Sequence, residues 1–380
     1  MKLPFRHHHL LQVFLTFEKL KKNLPLDVFL SDYFRSNKAI GSKDRKFIAN
    51  NCYDIVRWKG LLDYLLEKKP FTWEKRLNIF FQNEDKFSSY SKDLLIPPHI
   101  RVSFPKNFYD YLRKYFSEEE VTNFCLVSNT QAPLTIRVNT LKTTREELLK
   151  TWQDTYDCYP GSQTNTSIIF RKKINVFTDE HFKKGFFEIQ DEGSQRIATL
   201  MQVKPKDHVL DFCAGSGGKT LSFAPYMQKK GQVYLYDIRP HALLEAKKRC
   251  KRAGIENYQI ITQEKDLKKL KEKMDWILLD VPCSGTGTLR RNPYMKWKFI
   301  PSQIDNFIKE QRKIFEKAFP LLKQGGYIIY TTCSIIPEEN EHQVKYFLEN
   351  YPLDQLGKNL SFWPERNKND GFFGASFQKN

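Results

Sequence analysis

Apolar positions recur at three- and four-residue spacing through the first hundred residues, most clearly at Phe47, Ile48, Cys52, Ile55, Val56, Leu61, Leu62, Leu65 and Leu66. That period predicts helices, one over Asp27–Arg35 and a longer one from Ser42 to Lys69. Ser42 with Asp44 supplies a start signal, and Lys68-Lys69-Pro70 a stop. Met1 to Phe17 carries a basic residue, three histidines and an apolar stretch from Leu10. It has no small-residue cleavage site and runs into Glu18-Lys19-Leu20-Lys21-Lys22, so it predicts a first helix rather than a signal peptide. Ile96-Pro97-Pro98 through Pro105 breaks the pattern. Residues 1–95 are therefore expected to form a helical domain, and 96–124 a linker with a connecting helix.

The period then changes. Leu134–Val138 alternates as a strand does, and Ser167–Phe170 and Gly185–Ile189 read as further strands. Thr143 with Glu146 three residues on predicts a capped short helix. Residues 125–190 thus predict a small α+β domain. From 191 to 380, short apolar runs alternate with helical stretches. Strands are expected at His208–Cys213, Gln232–Asp237, Tyr258–Thr262, Trp276–Asp280 and Tyr327–Cys333, with helices from Leu221, Pro240 and Ser302. This is the signature of an α/β domain with a mostly parallel sheet covered on both faces.

Charge narrows the partners. The chain has 62 Lys and Arg against 44 Asp and Glu, a net charge of +18, which favours a polyanion: nucleic acid first, anionic membrane second. A lysine-rich composition without such a partner is the bland alternative. Hydrophobic residues make up 40%, enough for packed cores, which excludes a wholly disordered basic tail. No apolar run approaches the length of about 18 residues that a membrane-spanning helix needs. The seven cysteines are scattered with no CxxC pair, so no zinc knuckle or thioredoxin-type motif exists, and the expected compartment is the reducing cytoplasm. His7–His9 read as polar residues at a helix end, and no metal is expected.

The candidate chemistry falls at strand ends. The first parallel strand runs into Asp211-Phe212-Cys213-Ala214-Gly215-Ser216-Gly217-Gly218-Lys219-Thr220. Such a turn lets a ligand approach the backbone, and three ligands compete. Gly218-Lys219-Thr220 fits the tail of a phosphate loop, but Cys213 stands where its first glycine belongs. Gly215 and Gly217 fit a dinucleotide fingerprint, but Thr220 replaces its third glycine. S-adenosylmethionine is the third, and a tight turn without any ligand is the bland reading. Asp237 ends the second strand, 22 residues after Gly215, where an acid accepts from ribose hydroxyls; it suits the last two ligands equally. Further on, Asp280-Val281-Pro282-Cys283 and Thr331-Thr332-Cys333 place cysteines at two strand ends. One such cysteine reads as a small buried hydrophobe; two beside a ligand loop read as chemistry.

With these segments the chain resembles the RsmB/Nop/Sun family of S-adenosylmethionine-dependent RNA cytosine-5 methyltransferases. The residues that carry the resemblance are Arg137-Val138-Asn139, Gln190-Asp191, Asp211 to Thr220, Asp280 to Gly285, Tyr330 to Ser334, Glu338 to Glu341 and Asp370 to Phe373. More loosely, Asp44-Arg45, Ile55-Val56-Arg57 and Leu61-Leu62-Asp63 resemble a NusB-like RNA-binding domain. The resemblance implies a Rossmann-like class I methyltransferase domain behind an RRM-like domain and a NusB-like domain. It also implies S-adenosylmethionine as cofactor and RNA as partner: 16S ribosomal RNA first, transfer RNA as the rival, with a monomeric enzyme. Cofactor contacts are expected from Cys213, Ala214, Gly215, Ser216, Gly217, Gly218, Lys219, Asp237 and Asp280. Glu264 is expected at the adenine, with Asp266 as runner-up. The family's Ala-Ala-Pro-Gly-Gly-Lys is here Ala214-Gly215-Ser216-Gly217-Gly218-Lys219, which predicts a more flexible loop.

Carbon 5 of cytosine is a poor nucleophile until a thiolate adds to carbon 6, which is covalent catalysis. A Pro-Cys cysteine, as in DNA cytosine-5 methyltransferases, would nominate Cys283. The RNA family nominates Cys333 as nucleophile, with Cys283 assisting release. Asp280, if desolvated, would hold a proton for ring nitrogen 3 and the amino group, and Lys219 would stabilise developing charge. Glu338 and Glu339 read as first-turn acids of a helix opened by Pro337. Arg171 to Lys173, Lys183-Lys184, Lys247 to Arg252, and Arg290-Arg291 with Lys296 and Lys298 offer phosphate contacts. Tyr294 and Trp297 would stack on a base. A catalytically silent RNA-binding assembly factor on the same fold is the competing class, against which the retained Asp280, Cys283 and Cys333 speak.

Overall fold

The computed structural model describes residues 4–20, 24–67, 69–366 and 368–380. The chain divides into two compact units, 1–131 with 289–301, and 132–288 with 302–380.

The first unit is helical. Helices Phe5–Lys19, Leu26–Ser36, Ser42–Leu65 and Trp73–Gln82 bury Leu10, Val13, Phe14, Leu30, Ile48, Ile55, Leu61, Leu62 and Phe80 in one core. The long helix is capped by Gly41, and Ser42 is its first residue without a side-chain cap. It ends at Leu65, short of the expected Lys69; Lys68 lies outside the described residues. The stretch expected as a linker is mostly packed helix, with Pro98–Arg101, Lys106–Leu112 and Glu118–Ser128 burying Val102, Phe108, Leu112 and Phe124.

Residues 289–301 pack inside this unit, and this corrects one expectation. Lys296 is 1% exposed; its Nζ donates to the Arg57 carbonyl at 2.7 Å and to Asn129 Oδ1 at 2.6 Å, over the Phe104 ring. Trp297 Nε1 donates to the Val56 carbonyl at 2.8 Å, and the Tyr294 ring meets Phe17 edge-on. The cluster expected to grip RNA and stack on a base is, at Lys296 and Trp297, internal packing. Apolar rings flanked by satisfied donors bury more favourably than they would lie in water.

The second unit holds two sheets. In the first, β1 (Leu134–Val138), β2 (Cys158–Pro160), β3 (Ser167–Phe170) and β4 (Phe187–Ile189) pair antiparallel in the order β2-β3-β1-β4. Trp152, from helix Arg145–Trp152, fills their core against Phe170 and Phe187. That helix is capped one residue later than expected: Thr144, not Thr143, forms the box with Glu147.

The larger sheet contains β5 (His208–Asp211), β6 (Gln232–Tyr236), β7 (Tyr258–Ile261), β8 (Met274–Asp280), β9 (Leu322–Thr332), β10 (Leu353–Gln355) and β12 (Phe372–Lys379), in the order β10-β12-β9-β8-β5-β6-β7. β11 (Leu360–Phe362) pairs with β12. Strands β5 to β9 are mutually parallel; β12 runs antiparallel to β9, and β10 antiparallel to β12. The chain moves outward from β5 to β7, then returns to β8 on the other side of β5. The crevice beyond β5 and β8 is the topological switch point, where such sheets bind ligands. Among the described residues no helix is long and apolar enough to cross a membrane, and no cluster of His, Cys, Asp and Glu would hold a metal.

Candidate active site

A cavity of about 1270 Å³ opens at that switch point. It is lined by Asp211 to Ser216, Gly218, Lys219, Asp237, Glu264, Asp280, Cys283 and Cys333, among others. All the expected site residues except Gly217 line this one cavity.

The glycine turn is tied down on every side. Gly215 and Gly217 have φ of +52° and +79°, a region that favours glycine. Asp237 accepts from Gly215 N at 2.7 Å and from the backbone and guanidinium of Arg239. Although burial opposes its charge, these donors hold its carboxyl below the ordinary range. Arg249 donates to the Ser216 carbonyl at 2.9 Å and to its hydroxyl at 2.8 Å. Arg137 on β1 donates to the Gly218 carbonyl at 3.1 Å. The loop expected to be flexible is therefore pinned, and Arg249 fastens the very serine that departs from the family pattern. Arg249 and Arg252 also pair with Glu188 on β4, at 3.0 and 2.5 Å. These two arginines are structural, and of the expected 247–252 phosphate cluster Lys247, Lys248 and Lys251 are the exposed members.

Asp211 was not among the residues expected to act. It is 1% exposed; Thr220 donates to one carboxylate oxygen at 2.6 Å, and the other has no hydrogen-bond partner among the described residues. Burial pushes its carboxyl up to about 7. The signal was available in principle, since Asp211 ends β5 directly before the glycine turn.

The same cavity wall carries the two strand-end cysteines. Cys283 Sγ and Cys333 Sγ are 3.4 Å apart and both are free thiols. The hydrogen bond between them holds Cys333 below the ordinary thiol value, with Lys219 acting in the same sense against burial and Asp280. The same hydrogen bond, then burial, pushes Cys283 well up. Either sulfur can donate in this contact, and the neighbouring Lys219 ammonium favours the charged form of Cys333. Lys219 Nζ lies 2.6 Å from Asp280 Oδ2. Burial works against its charge, but Asp280 holds the ammonium above its ordinary value. The Asp280 side chain is 33% exposed and ion-paired, which is not the desolvated setting the sequence reading required for a proton there.

The two cysteine turns are braced against each other. Glu339, read from the sequence as a first-turn acid, is wholly buried and accepts from Ser284 N at 2.9 Å and Ser284 Oγ at 2.5 Å. Gly287 N donates to the Cys333 carbonyl at 2.8 Å, and Gly371 N to the Gly287 carbonyl at 2.8 Å. A Cβ on Gly287 would lie 2.3 Å from the Gly371 oxygen, so only glycine permits this approach. At the rim, Glu264 lines the cavity and pairs with Lys317 at 2.6 Å. Asp266 turns to Lys269 instead and is absent from the lining.

A parallel sheet with a glycine turn after its first strand, an acid after its second and a cavity at the switch point defines a Rossmann-like domain for a ribose-bearing cofactor, and the family match makes it an S-adenosylmethionine-dependent methyltransferase. Residues 198–378 match the family model described as 16S rRNA methyltransferase RsmB/F, and residues 104–177 match the ferredoxin-like domain of the same methyltransferases. Over these two segments the chain matches the RsmB/F methyltransferase family. It is 32% identical over 260 residues to the ribosomal RNA small subunit methyltransferase B of Proteus mirabilis, covering 66% of this chain and 60% of that one. The protein of the same name from Salmonella newport is 29% identical over 340 residues, 84% of this chain and 73% of that one. Among solved structures, PH0851 superposes with a TM-score of 0.81 at 23% identity, over 100% of both chains. NSun6 from Pyrococcus horikoshii, with the cofactor analogue SFG, gives a TM-score of 0.66 at 20% identity, over 73% of this chain and 98% of that one.

The cavity fits the cofactor. No atom lies within 4 Å of where a Cβ on Gly218 would stand, leaving the backbone open to a ligand. The buried, unpartnered Asp211 oxygen suits the cofactor's ammonium group, and Asp237 suits its ribose hydroxyls.

Proposed function

We propose that this chain methylates carbon 5 of a cytosine in RNA, with 16S ribosomal RNA as substrate, through a covalent bond between Cys333 and carbon 6 of the base. The observation that carries the reading is the pair of free sulfurs, 3.4 Å apart, in the same cavity as the glycine turn.

Bound S-adenosylmethionine supplies an electrophilic methyl group; the rest falls to the chain. Asp211, Asp237 and the backbone of 213–218 hold the cofactor. Cys333, kept toward the thiolate by Cys283 and Lys219, adds to carbon 6 and makes carbon 5 electron-rich. Asp280, anchored by Lys219, accepts from the amino group of the base and orients the ring. Lys219 offsets the negative charge that builds on the ring during addition. After methylation the carbon 5 proton passes to a base and on to solvent as the Cys333 bond to carbon 6 breaks and returns its thiolate, and Cys283 assists that release. The base reaches these groups unstacked from its neighbours. On this reading the enzyme works as a monomer in the cytoplasm.

The test is adduct trapping on RNA. Cys333→Ala is expected to form no protein–RNA adduct, and Cys283→Ala to accumulate it. The opposite pattern reverses the two roles. Bisulfite mapping of RNA from cells with and without the gene identifies the substrate, and loss of a transfer RNA signal alone would replace ribosomal RNA as the target. No labelled cytosine in any cellular RNA would favour the silent binder.

A further inference from the structure

Glu339 and Asn340 are adjacent in sequence, yet each serves a different cysteine. On one side, Glu339 takes the backbone N–H and hydroxyl of Ser284, the residue after Cys283. Gln311 Nε2 donates both to Glu339 at 3.1 Å and to the carbonyl of Pro282, the residue before Cys283, at 3.0 Å. The peptides on both sides of Cys283 are thereby fixed to one carboxylate. On the other side, Thr332 Oγ1, before Cys333, donates to Asn340 Oδ1 at 2.6 Å. Asn340 Nδ2 donates to the carbonyl of Ser334, after Cys333, at 3.0 Å. Both residues are buried, at 0% and 2% exposure, and neither lines the cavity.

We propose that Glu339 and Asn340 are positioning residues that together set the distance between the two active-site sulfurs, Glu339 holding the Cys283 turn and Asn340 the Cys333 turn. A carboxylate buried without a cationic partner is costly unless it is fully hydrogen-bonded, and here its donors are those that shape the Cys283 turn. The peptide bond joining the two residues fixes the two grips relative to each other. Reactive groups misplaced by as little as about 1 Å lose about 100-fold in rate, so such a device matters where one sulfur bonds carbon 6 and the other must reach the same ring. The importance for catalysis rests on the adduct reading above; the spacing itself does not.

Phenylarsine oxide measures spacing without RNA or cofactor: its arsenic bonds two neighbouring thiols, and its oxygen leaves as water with their two protons. The wild-type chain is expected to bind the arsenical across Cys283 and Cys333, with that binding lost in Cys283→Ala. Glu339→Gln and Asn340→Ala are expected to weaken this capture by about tenfold, since a mismatched span lowers effective concentration. They are also expected to lower kcat by about 100-fold while leaving KM for S-adenosylmethionine unchanged. Thr332→Val removes the hydroxyl that donates to Asn340 and accepts from Ser334 N at 3.2 Å, keeps the Asn340 bond to the Ser334 carbonyl, and is expected to show the same effect in smaller degree. Variants that remain folded and bind the arsenical as tightly as wild type overturn the proposal. Weakened capture with unchanged kcat overturns it too, by separating spacing from turnover. Normal arsenical capture in a wild-type chain that forms no RNA adduct would sink the cytosine reading and leave the spacing claim standing.

Discussion

Lys296 and Lys219 are both buried lysines, at 1% and 8% exposure, although the sequence points the first at RNA phosphates and the second at the cofactor turn. Lys296 sits in the helical unit facing a carbonyl, an amide oxygen and aromatic rings, with no carboxylate partner among the described residues. Burial therefore pushes its ammonium well below the ordinary lysine value. Lys219 sits in the catalytic unit facing Asp280, which keeps it charged against the same burial. The first is a closed arrangement whose donors end on the protein itself. The second is open: its neighbours include the Cys333 sulfur and Asp211, one of whose carboxylate oxygens has no partner among the described residues, and all three residues line the cavity. Buried polarity that is satisfied internally holds a fold together, and buried polarity left incomplete at a cavity wall marks chemistry.

Lys219→Met should break the contrast most sharply. Methyl transfer to RNA is expected to fall about 100- to 1000-fold, the usual cost of removing one preorganised charge. The sign at Cys333 follows from the charge: without the ammonium, its alkylation by iodoacetamide should shift to higher pH. A variant that still transfers methyl groups at half the wild-type rate would show Lys219 to be structural.

Lys296→Met should do the reverse. Losing its donors leaves the Arg57 carbonyl and Asn129 Oδ1 without Lys296, and denaturant melting should report a loss of about 1–3 kcal/mol. Turnover per folded molecule should be unchanged. The slope of RNA affinity against salt should also stay as it is, whereas replacing the exposed Lys172 should reduce it by about one. A flattened slope in Lys296→Met would return that residue to the RNA surface.

Asp211 sharpens the comparison through pH rather than through a fixed loss. Its folded carboxyl titrates near 7, against an ordinary 3.8. A raised carboxyl leaves stability intact below the unfolded value and removes it as pH rises to the folded one. Asp211→Asn should therefore match wild type near pH 4 and become progressively more stable toward pH 7, the gain then levelling off. A pH-independent difference in melting would show that Asp211 is not strained by its burial.

Much of this was legible from pattern. The change from helical to alternating period located the parallel strands, because strands covered on both faces are short apolar runs. Cys283 and Cys333 declared themselves by standing at strand ends beside a glycine turn. What escaped the sequence depends on distant partners. Glu339 reads as a first-turn acid because what buries it, Ser284 N and Gln311, lies 55 and 28 residues away. Lys296 and Trp297 look like an RNA surface because basic and aromatic residues alternate there, and nothing local says that Val56 and Arg57 receive them. The antiparallel strands β10 to β12 were missed because they are added at a sheet edge by pairing rather than by a strong period of their own.

The contact of Gly371 with Gly287 has a consequence for how the protein is made. The loop after Cys283 is seated by a residue at the entry to β12, about ninety positions downstream. A ribosome that has already delivered both cysteines still holds a nascent chain whose catalytic loop lacks its last support. Competence to modify RNA thus arrives only when translation has passed β12, and polypeptides released before it carry both thiols without the means to aim them.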